Sequence, residues 1–123
     1  MSLDVRSEAD VVILSPKGML LGGQETDDLR EKITELDVQG NRKLLINLAK
    51  VSFMSSMGLA AMFLAHAKYA KRGAVVKLCS ADKRIRHIFV LVRLSLVFGD
   101  NLCDTEEEAL ASFRELPATA GSP

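Results

Sequence analysis

Val51-Ser52-Phe53-Met54-Ser55-Ser56-Met57-Gly58-Leu59 is the stretch on which the fold turns. It follows Leu44-Leu45-Ile46-Asn47-Leu48, an apolar run of the kind a strand covered on both faces carries. Past Met57 the composition changes. Leu59 to Ala70 is rich in Ala, Leu and Met and stops at Gly73, which predicts a helix from about Met57 to Arg72. A strand thus hands over to a helix at Ser55-Ser56, where backbone N–H groups lack intrahelical partners and the dipole is positive. A serine there can cap the helix. An exposed hydroxyl there is also a natural phosphorylation site: phosphate would add roughly −1.5 to −2 charges that the helix end tolerates and a docked partner would sense.

Working outward, Leu3 to Ala9 and Val11 to Lys17 read as two short strands around Asp10, the second containing the β-forming run Val-Val-Ile-Leu. Pro16 and Gly18 punctuate its end, and Gly18 to Gly23 reads as a plain strand-to-helix loop. Leu29, Ile33 and Leu36 then fall on one helical stripe from Gln24 onward, with Gly40 closing the helix. After Gly73, Ala74 to Leu78 is the next strand. Ser80 or Asp82 can cap a helix whose apolar stripe is Ile85, Ile88, Phe89 and Val92. Leu96-Val97-Phe98 reads as a short edge strand. Thr105 and Glu108 fit a capping box, with Leu110 and Phe113 anchoring the last helix. The order β-β-α-β-α-β-α-(β)-α predicts an α/β fold. Its expected form is a mixed, mostly parallel sheet of four to five strands packed against about four helices. Residues 1–116 make one domain, and 117–123, small and Pro/Gly-containing, a flexible tail.

Composition narrows the function. The 123 residues are 48% hydrophobic and 26% charged, which suits a globular domain with its own core. Lys+Arg and Asp+Glu are both 16, so the basic excess of a nucleic-acid binder is missing and no direct nucleic-acid binding is expected. Neither a signal peptide nor a membrane-spanning run of ~20 apolar residues is visible, so a cytoplasmic location is expected. Cys79 and Cys103 have no ligand spacing and read as reduced, largely buried thiols, and His66 and His87 as ordinary helix residues. GMLLGG at Gly18–Gly23 lacks the Lys-Ser/Thr of a phosphate loop, so nucleotide binding is unsupported, and no metal or other cofactor is implied. The acidic run Asp104 to Glu108 is explained by capping. No nucleophile-base pair or carboxylate pair stands out, so the chain is not expected to be an enzyme.

The Val51–Leu59 stretch, after the Leu44–Leu48 strand, resembles the signature of STAS domains: an apolar pair followed by Asp-Ser-Ser/Thr-Gly-Leu. The likeness extends over the paired N-terminal strands, the Gly18–Gly23 connection, the Gly40 turn, Val75-Val76-Lys77-Leu78 and the acidic start before Ala109-Leu110. The resemblance implies a bacterial anti-sigma factor antagonist. Such a protein binds a serine kinase/anti-sigma partner and is switched by phosphorylation of the motif serine. Here Ser55 stands where the family usually has Asp, Ser56 matches the first motif serine, and Met57 falls on the usual acceptor. The implied phosphorylation site is therefore Ser56, or else Ser55. The implied partner-binding set is Ser55, Ser56, Met57, Gly58 and Leu59, with Met57 on the surface and Met54 and Met62 in the core. The alternative is a STAS accessory subunit of a transport or stress-signalling complex, with no phosphorylation cycle.

Overall fold

The computed structural model describes residues 3–116, so the tail expected at 117–123 lies outside the described residues. Among the described residues seven strands and five α-helices follow one another: β1 (Leu3–Glu8), β2 (Val11–Pro16), β3 (Gly18–Leu20), α1 (Gln24–Val38), β4 (Lys43–Asn47), β5 (Val51–Met54), α2 (Ser56–Lys71), β6 (Val75–Cys79), α3 (Lys83–Leu91), α4 (Leu94–Phe98), β7 (Leu102–Cys103) and α5 (Glu106–Arg114). The main sheet has the order β1-β2-β4-β6-β7. Its first pair is antiparallel and the others parallel, the mixed and mostly parallel arrangement expected.

The strands sort their side chains by parity. Leu14, Leu44, Ile46, Val76 and Leu78 face the large core shared with α1 and α2, where Leu29, Ile33, Met62, Ala65 and Tyr69 are buried. Val11, Ile13, Leu45 and Cys79 face α5 and meet Ala109, Leu110 and Phe113. Two lysines share that second layer. Lys43 reaches Asp10 at 2.8 Å. Lys77 Nζ donates to Ser112 Oγ at 2.7 Å and Asn101 Oδ1 at 3.0 Å and lies over the Phe113 ring. Both are almost fully buried, so these contacts are what make their burial tolerable. The start of α5 is tied to the sheet by Glu106, which accepts from Arg6 of β1 and, at 2.9 Å, from Asn47 of β4.

Two expectations need correction. Gly18 to Gly23 is not all loop: Gly18–Leu20 forms β3, a parallel ladder with β5. A three-residue strand carries no periodicity of its own, so only long-range pairing reveals it. Leu96-Val97-Phe98 is helical, not an edge strand; Leu102–Cys103 takes the edge beside β6. Leu94 and Phe98 are buried one helical turn apart, and Arg93, at φ 64°, breaks the chain between α3 and α4. Burial at i and i+4 outweighed the β-propensity of Leu-Val-Phe. Of the α3 stripe, Ile85 and Phe89 are buried, Ile88 is half-buried and Val92 is exposed. Cys79 is buried and its thiol pushed up to about 11 by desolvation, whereas its cross-strand neighbour Cys103 is only half-buried.

Candidate functional site

The strand-to-helix turn is built from three pieces of chain. β5 delivers Met54 into the core, Ser55 takes an extended conformation as the N-cap, and α2 begins at Ser56. The Ser55 Oγ accepts from the Met57 N–H at 3.2 Å and donates to the Leu20 carbonyl at 3.2 Å. The Ser55 N–H reaches that same carbonyl at 3.0 Å. One serine therefore caps α2 and fastens it to β3. The helix continues with the Leu59 N–H on the Ser55 carbonyl at 2.9 Å.

Close packing at the turn depends on glycine twice. A β-carbon on Gly58 would stand 2.8 Å from the Leu20 carbonyl oxygen and 2.9 Å from Leu20 Cβ, so only glycine lets α2 approach β3 this closely. Gly22, at φ +97°, lies under the Met57 side chain.

The five motif residues divide by depth. Ser56 and Met57 are exposed, Ser55 is half-buried, and Gly58 and Leu59 are buried beneath them. Met54 and Met62 are in the core and Met57, 44% exposed, is on the surface. The Ser55 hydroxyl is committed to two hydrogen bonds, while that of Ser56 has no partner among the described residues. The first turn of α2 contains no acidic residue, in contrast to α1 with Glu25 and Asp27 and α5 with three glutamates. The positive end of the α2 dipole thus faces solvent without a compensating carboxylate from its own first turn.

Sequence reasoning missed what flanks the turn. Met19 and Phe53 are register partners in the β3–β5 ladder, and both are about half exposed on its outer side, with Leu20 and Met54 buried behind. Leu21 adds to this apolar surface. The signal was present in Phe53, an aromatic at a strand position between exposed Ser52 and buried Met54, but its direction depends on pairing with a strand that the sequence did not disclose. No helix among the described residues is long and apolar enough to cross a membrane, and no group of three or more His, Cys, Asp or Glu among them is placed to hold a metal.

This chain belongs to the STAS domain family, whose model matches residues 2–109. Its fold is that of several solved structures. An anti-sigma factor antagonist from Mycobacterium paratuberculosis is similar at 23% identity and a TM-score of 0.79, over 91% of this chain and 92% of that one. The anti-sigma factor antagonist SpoIIAA, in its unphosphorylated form, is similar at 22% identity and a TM-score of 0.73, over 93% and 99%. The phosphorylated form of SpoIIAA, a Bacillus cell fate determinant, matches at the same identity and TM-score, over 91% and 99%. The STAS domain of a SulP transporter from Vibrio cholerae is similar at 20% identity and a TM-score of 0.71, over 89% and 86%. No curated protein matches the chain. STAS domains are typically regulatory and not enzymatic.

Proposed function

We propose that this protein is an anti-sigma factor antagonist that docks a serine kinase/anti-sigma protein on the N-terminal end of α2 and is switched off by phosphorylation of Ser56. The observation that carries the proposal is the division of labour between adjacent serines. Ser55 is held as a cap by the Leu20 carbonyl and the Met57 N–H, whereas Ser56 presents an exposed hydroxyl at a helix end without acidic residues in its first turn. A phosphate on Ser56 would meet the positive end of a helix and add charge where the partner sits. Met57 stands beside it as an adaptable apolar contact, a role its flexible thioether suits. Gly58 acts from beneath, setting the height of the helix on β3, and Leu59 is buried beside it.

The resemblance to SpoIIAA in both phosphorylation states supports the reading as an analogy of fold. The experiment is to express the serine-kinase anti-sigma proteins encoded in the same genome and titrate each against the chain. Ser56→Ala should leave binding intact and abolish phosphate transfer, and Ser56→Asp should weaken binding. A second reading, an accessory STAS subunit without a phosphorylation cycle, is favoured by one observation: Met57, which has no hydroxyl, occupies the position of the family's usual acceptor. Tight kinase-independent binding to a transport subunit, with no phosphate on any serine, would favour it.

A further inference from the structure

Beside the turn, between β5 and α3, lies an apolar cleft of about 520 Å³. Phe53 forms one wall, and Ile85 and Ile88 of α3 form the other. Its lip is basic: Lys83, Arg84 and His87 all line it. This concentration is notable in a chain of zero net charge. Lys83 and Arg84 occupy the first turn of α3, where the helix dipole disfavours cations, and α3 has no acidic residue in that turn. Local pairing does not account for them. Arg84 has only a 3.8 Å contact to Asp82, the N-cap whose other oxygen accepts from the Ile85 N–H, and Lys83 and His87 have no partner among the described residues. Helix stability does not explain two cations and an imidazole around an aromatic half open to solvent. Recognition does. Met19, the register partner of Phe53 on β3, is likewise about half exposed.

We propose that this cleft is a docking groove for an amphipathic helix of the protein partner, one that presents bulky apolar side chains to Phe53 and Ile88 and carboxylates to Lys83, Arg84 and His87. The inference rests on the reading of the chain as a partner-binding domain and adds the chemistry that the partner must offer. Charge complementarity sets orientation and encounter rate, and the aromatic anchor with its aliphatic neighbours supplies the buried contact. The volume is in the range of clefts that take ligand groups, ~300–1,000 Å³. On α3, residues 84, 88 and 91 lie on one face, so exposed Leu91 prolongs the apolar track past the cleft.

The test uses the full chain, isotope-labelled, and a designed amphipathic peptide of about 15 residues with Leu on one helical face and Glu on the other. Its control carries Lys in place of every Glu. The Glu peptide should shift the amides of Phe53 and of residues 83–88, and the Lys peptide should not. Phe53→Ser should weaken the Glu peptide about tenfold, and Lys83→Glu with Arg84→Glu should do the same while admitting the Lys peptide. All three sites are exposed, and circular dichroism of each variant checks that it folds. Equal binding of both peptides, or binding of neither, would overturn the proposal. So would occupation of the same amides by ATP or by a second copy of the chain. Glu-peptide binding without any kinase binding would sink the kinase reading and leave the groove standing. Kinase binding indifferent to Phe53→Ser and to the charge reversal would do the opposite.

Discussion

The Met57 side chain lies across Gly22: a β-carbon on that glycine would stand 2.9 Å from Met57 Cγ and 3.2 Å from Met57 Cβ. Gly22 is also at φ +97°, a conformation that L side chains rarely adopt. Gly22→Ala should therefore cost about 1–2 kcal/mol, part from the backbone and part from the collision. Only the second part can be relieved. In a Met57→Ala background the cost should shrink by about 0.5–1 kcal/mol, read from urea denaturation of the four proteins in the cycle. Strict additivity would mean that Met57 does not occupy the space above Gly22.

Gly58 offers a prediction of sign. In an exposed helix position, Gly→Ala gains up to about 1 kcal/mol from propensity. Here the added methyl would meet the Leu20 carbonyl oxygen at 2.8 Å, and a backbone atom cannot step aside cheaply. Overpacking costs of about 1–3 kcal/mol should win, so Gly58→Ala lowers the melting temperature. A rise would show that α2 and β3 are not in the close contact described.

The neighbouring serines should separate in stability measurements. Ser55→Ala removes the cap and the hydroxyl donor to the Leu20 carbonyl, at a cost of about 1–2 kcal/mol. Ser56→Ala removes an exposed hydroxyl and should stay within about 0.5 kcal/mol of the natural protein. Equal losses from the two changes would contradict the assignment of Ser55 as cap and Ser56 as free hydroxyl.

Acid stability should depend on the clasp at the start of α5. The hydrogen bond from Arg6 and that from Asn47 hold Glu106 below its ordinary value near 4.5, against an opposing push from partial burial. A carboxylate with a lowered folded pKa contributes stability above its unfolded pKa. That contribution is lost as pH falls from there through the folded value. The urea midpoint should therefore drop on acidification below about pH 4.5, and Arg6→Ala should make the drop shallower while lowering the plateau at neutral pH. Parallel curves for the two proteins would show that Arg6 does not set the Glu106 titration.

Much of this architecture was legible along the chain because the informative residues act locally. Leu29, Ile33 and Leu36 fix one helix face, Gly40 and Gly73 end two helices at positive φ, and Thr105 caps α5 as its spacing implies. The turn at Ser55-Ser56 could be found for the same reason. What escaped depends on partners distant in sequence. β3 exists because Gly18–Leu20 finds β5 over thirty residues later, and the outward direction of Phe53 follows from that pairing. Leu94 and Phe98 pull α4 into a helix because both reach the core, which local β-propensity could not report. Along the chain, Lys83, Arg84 and Arg86 simply stand outside the apolar stripe of α3. That the first two flank an aromatic from another strand, while Arg86 turns away to Asp104, is a fact of tertiary structure.

The central claim is that Ser56, on the exposed first turn of α2, is the residue through which the partner interaction is switched. The most direct measurement is incubation of the full chain with its serine-kinase anti-sigma partner and ATP, followed by mapping of the phosphate by mass spectrometry. The account predicts a single phosphate on Ser56, absent from Ser56→Ala and accompanied by release of the partner. Phosphate on any other residue, or none after the complex has formed, would contradict it.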